Sequence, residues 1–97
     1  MSFLSEKLAD FSGAISSGAT FAPDEYPEWG YVSYESNMSD IKEIWSEIRM
    51  KLKLDTEKIA FIERKLQDAF AAFDAGEKEK GRAALWAIYN LDVEDLQ

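Results

Sequence analysis

The chain has 97 residues, a formal charge of −8, 46% hydrophobic and 31% charged residues, and neither cysteine nor histidine. This length buries one modest core, the lack of Cys and His rules out disulfides and thiolate or imidazole metal sites, and the charge opposes direct contact with nucleic-acid phosphates or an anionic membrane surface. The hydrophobic content is that of a globular domain, not of a disordered acidic tail.

The first predicted helix covers about 3–16. Ser2 is a suitable N-cap, and Leu4, Leu8, Phe11 and Ile15 fall on one helical face. The glycines and hydroxyl residues of SGAISSGAT are expected to end it between Gly13 and Gly18. MSFLSEKLADF has an acidic residue at position 6 and no apolar h-region, so no signal peptide is expected. No run approaches the roughly 18 apolar residues of a membrane helix.

Between about 17 and 37 the pattern is lost. TFAPDEYPEWGYVSYES holds five aromatic rings, four carboxylates, two prolines and no positive charge. Pro23 followed by Asp24 and Glu25, and Pro27 followed by Glu28, Trp29 and Gly30, predict two successive turns. GYVSYES has strand propensity but no second run to pair with, so an irregular strap is expected. Ordering such a strap costs more than burial of its rings offsets, so it needs turn hydrogen bonds, docking onto the helices or a partner.

The second helix is predicted over about 38–54, capped by Asn37 or Ser39, with Ile41, Ile44, Trp45, Ile48 and Leu52 inward and Asp40, Glu43 and Glu47 outward. The third covers 56–75, with Asp55 or Thr56 as cap, Ile59, Ile62, Leu66, Ala69, Phe70 and Phe73 as its stripe, and Gly76 at its C′ position. The fourth covers 79–91 and carries Leu85, Ile88 and Tyr89. The short link before it makes an αα-hairpin, which Ala69, Ala71, Ala72, Ala83, Ala84 and Ala87 allow to pack closely. The fold expected for residues 1–97 is a single all-α domain, a small three- or four-helix bundle with a long aromatic and acidic segment between helices 1 and 2.

The sequence contains no Glu-x-x-His pairs, phosphate loop, G-x-S-x-G or EF-hand loop. A non-enzyme without cofactor or metal is therefore expected. Tyr and Trp interleaved with carboxylates suit protein recognition, since rings give contact area at little rotamer cost and acids pair with Lys or Arg opposite. No basic residue occurs between Lys7 and Lys42, so the acidity is concentrated in sequence. Candidate contact residues are Asp24, Glu25, Tyr26, Glu28, Trp29, Tyr31, Tyr34 and Glu35, with Asp40, Glu43 and Glu47 alongside. The competing expectations are that Phe21, Trp29 and Tyr31 cap the bundle and that the acids serve solubility.

These features lead to the expectation of a cytoplasmic inhibitor that covers a basic surface of another protein, such as a nuclease toxin or other nucleic-acid-binding protein. Bacterial immunity proteins and antitoxins are similar in physical type: small, acidic and without chemistry of their own. The alternatives are a phage-type DNA mimic or anti-restriction protein, a non-catalytic adaptor or assembly chaperone working through the alanine-rich hairpin, and a homo-oligomeric scaffold.

Overall fold

A computed structural model describes residues 3–28, 30, 32–53 and 55–91. Among the described residues four α-helices follow one another: α1 (Phe3–Phe21), α2 (Tyr34–Lys51), α3 (Thr56–Asp74) and α4 (Lys78–Tyr89). No strand occurs among the described residues, and no helix there is long and apolar enough to cross a membrane.

The expected stop of α1 between Gly13 and Gly18 is corrected: the helix runs to Phe21. Its apolar face simply continues, with Leu8, Phe11, Ile15, Gly18 and Ala19 all buried. Gly18 is a contact residue and not a terminator. A β-carbon there would sit 2.8 Å from Leu85 Cδ1 and 3.3 Å from both Asn37 Oδ1 and Met38 Cε, so any larger residue would force those side chains of α2 and α4 to shift. The hydroxyl of Thr20 stays within the helix by donating to the Ser16 carbonyl at 2.8 Å.

The start of α2 is corrected as well. It begins at Tyr34, with Ser33 and not Asn37 or Ser39 as its N-cap. Ser33 and Ser36 form a reciprocal capping box: Ser36 N donates to Ser33 Oγ at 3.1 Å, and Ser33 N donates to Ser36 Oγ at 2.9 Å. The connection is therefore 22–33 instead of 17–37. At its other end α2 stops at Lys51, with Leu52 N bonded to the Ile48 carbonyl at 3.1 Å.

The third helix follows its sequence pattern closely. Ile59, Ile62, Leu66, Ala69 and Phe73 are buried, Phe70 is half-buried, and Asp55 holds the N-cap position. Gly76 has φ +77, and the bonds from Gly76 N to Phe73 O (3.1 Å) and Glu77 N to Ala72 O (2.7 Å) close a Schellman turn into α4.

Side-chain pairs set the helix directions. Lys7 of α1 meets Glu47 of α2, Tyr34 at the start of α2 meets Phe73 at the end of α3, and Arg82 of α4 reaches back to Ala22 beyond α1. Sequence neighbours are thus antiparallel. The backbone of α1 packs against α2 and α4, and α3 packs against α4. The α2–α3 side is looser and is bridged by long side chains, Arg49 to Glu63 at 3.2 Å and the Lys42 ammonium 4.7 Å from the Phe70 ring centre. The core lies inside this ring of helices, with Phe11 against Trp45 at 5.3 Å between ring centres.

Candidate functional site

The connection between α1 and α2 is docked on the helices. Two turns shape it: Glu25 N donates to the Phe21 carbonyl at 2.8 Å, a helical turn that carries on from α1 instead of starting at Pro23, and Gly30 N donates to the Pro27 carbonyl at 3.1 Å, the turn expected at Pro27. The first turn sets Asp24 and Glu25 against the N-terminal part of α4. There the Lys78 ammonium lies 2.7 Å from Glu25 Oε2 and 3.1 Å from Asp24 Oδ1. Arg82 also pairs with Glu25 through Nη2, and its Nε donates to the buried Ala22 carbonyl at 2.6 Å. Lys78 and Arg82 are four residues apart, which puts both on one face of α4. The Lys78 ammonium, then the Arg82 guanidinium, hold the Glu25 carboxyl below its usual range. In turn Glu25, then Asp24, raise Lys78.

The second attachment is a buried polar node. Asn37, 2% exposed, is the buried polar residue of the core among those described. Its Oδ1 accepts from the Tyr26 hydroxyl at 2.6 Å, and its Nδ2 donates to the Ala14 carbonyl of α1 at 3.1 Å. One amide thus joins the connection, α1 and α2. Burial pushes the Tyr26 hydroxyl up to about 12. Tyr34 is also raised, first by burial and then by the charge of Asp74. Both rings pack on the core, Tyr26 beside Phe21 and Tyr34 edge-on to Phe73.

The candidate contact residues therefore fall into distinct settings. Asp24 and Glu25 are paired with α4, and Tyr26 and Tyr34 are half-buried packing residues. Glu28 and Glu35 are exposed, while Trp29 and Tyr31 lie outside the described residues. Asp40 and Glu43 are exposed on α2, and Glu47 pairs with Lys7 at 2.7 Å. Lys7 is raised first by Glu47, with the charges of Asp10 and Glu43 adding to the effect.

Sequence reasoning missed the partners of the acids. Lys78 and Arg82 are more than 50 positions away from Asp24 and Glu25 in the chain. The available signal was their spacing in GEKEKGR, which marks a basic face at the start of α4. Asn37, a cap candidate by residue type, instead lies one turn inside α2 and is buried with its neighbours Met38 and Ile41.

Among the described residues no group of three or more acidic side chains could hold a metal ion. The arrangement combines exposed carboxylates at Glu28, Glu35, Asp40 and Glu43 with a connection docked on the helices. No family model matches the chain, no curated protein matches it, and no solved structure matches it.

Proposed function

We propose that this protein is a small cytoplasmic inhibitor that binds a basic protein and covers its functional surface, as immunity proteins and antitoxins do. The observation that carries this reading is the uneven neutralisation of its acids. Asp24 and Glu25 meet internal cations, whereas Glu28, Glu35, Asp40 and Glu43 are exposed and make no ion pair among the described residues. Carboxylates left in this state gain most from Lys or Arg on a partner, through steering and pairing across an interface. The Lys78 and Arg82 clasp also supports this reading over a DNA mimic, because it interrupts the acidic surface with cations where a phosphate-like series would be uniform.

One observation favours the adaptor as a second reading. Trp86 and Tyr89 are exposed on α4 as an edge-to-face pair, 38% and 40% exposed with ring centres 5.4 Å apart. Exposed paired rings of this kind are common binding anchors.

Affinity capture from a cell extract separates the two readings. The inhibitor reading expects a basic protein retained by the wild type, released by salt, and lost when Glu28, Glu35, Asp40 and Glu43 are changed together to their amides. Capture that survives this neutralisation but is abolished by Trp86→Ala with Tyr89→Ala supports the adaptor and overturns the inhibitor.

A further inference from the structure

The looser α2–α3 side contains a cleft of about 180 Å³ lined by Lys42, Trp45, Glu63, Leu66, Gln67 and Phe70. Two features set it apart from an ordinary gap between helices. Trp45 forms part of its wall and is only 7% exposed, and its buried Nε1–H meets no acceptor among the described residues. Buried donors are almost always satisfied, so an unpaired one beside a cleft marks a place for an acceptor. Lys42, on the opposite wall from Phe70, holds its ammonium 4.7 Å from that ring and has no carboxylate partner among the described residues. The acid at the other end of the cleft, Glu63, is engaged by Arg49 at 3.2 Å.

We propose that this cleft binds a small aromatic monocarboxylate. The flat apolar body rests against Leu66 and Phe70, and the carboxylate draws Lys42 off the Phe70 ring. With that bridge across the cleft opened, the second carboxylate oxygen accepts from the Trp45 indole. The volume equals about six waters, which limits the ligand to roughly ten non-hydrogen atoms and the affinity to the order of 1 mM. This site is independent of the acidic surface and of the partner proposed above.

Sodium benzoate is the probe, titrated into the full chain and followed by two-dimensional proton–nitrogen NMR. The expected result is a saturable shift of the Trp45 indole N–H together with the Gln67 amide, weakened about threefold to fivefold by Lys42→Met. Benzamide, which keeps the ring and lacks the charge, should show the same weakening on the wild type, so the test stands even if the variant folds poorly. Shifts that grow linearly to about 50 mM, leave the Trp45 indole unmoved, or are equal for benzoate and benzamide overturn the proposal.

Discussion

The 22–28 segment and the exposed side of α2 are both rich in carboxylates, yet their surroundings are opposite. In the first, Lys78 and Arg82 arrive from α4 to pair with Asp24 and Glu25. In the second, Asp40 and Glu43 face water, and the nearby cation Lys7 is already bonded to Glu47. The difference shows that acidity counted along a chain does not locate a free acidic surface. The packing of α4 against α1 decides that Asp24 and Glu25 are paired, and Asp40 and Glu43 remain exposed.

Substitutions can break this contrast from either side. The largest effect is expected at the node that fixes the connection. Asn37→Ala strands the buried Tyr26 hydroxyl and the Ala14 carbonyl, and should cost about 2 kcal/mol in denaturant unfolding. Arg82→Met comes next at about 1 kcal/mol, through loss of the bond to the buried Ala22 carbonyl. Its amide exchange should quicken at Ala22 and Glu25 while α3 stays protected. A variant that loosened α3 equally would show that the clasp is part of the global fold and not a local attachment.

Acid should weaken the same clasp without substitution. The Glu25 carboxyl is depressed in the folded protein, so its contribution is complete above the ordinary value of 4.5 and is lost as the pH falls through the lower folded value. The chemical shift of the Glu25 side chain measures this directly. At high pH the sign reverses for Tyr26. Burial favours its neutral form, so its contribution is complete below about 10 and disappears as the pH rises to about 12. Tyrosinate absorbance should show a phenol titrating that late, and Tyr26→Phe should remove it. The smallest stability effect is expected on α2, where Asp40→Asn and Glu43→Gln should stay within about 0.5 kcal/mol. The same two changes should weaken partner capture, which would sharpen the contrast between acids that hold the fold and acids that serve binding.

What could be read from the sequence follows from where each interaction lies. The stripe of α3 and the stop at Gly76 are local, and the structure keeps both. The end of α1 is not legible locally, because Gly18 has the residue type of a terminator while its role depends on Leu85, Met38 and Asn37 from other helices. The start of α2 is masked in the sequence because Ser36 replaces the usual Glu or Gln of a capping box, inside a run with strand propensity. The acids of the candidate surface were found by composition, but composition could not separate Glu25, bound by α4, from Asp40, exposed on α2.

Amide hydrogen exchange of the free protein across 17–37, referenced to α3, tests the docked connection most directly. Slow exchange at Ala22, bonded to Gly18, at Glu25, bonded to Phe21, and at Asn37, bonded to Ser33, is the expected result. Fast exchange at all three beside a protected α3 would contradict it. The connection would then be held open, and Asp24 and Glu25 would rejoin the surface available to a basic partner.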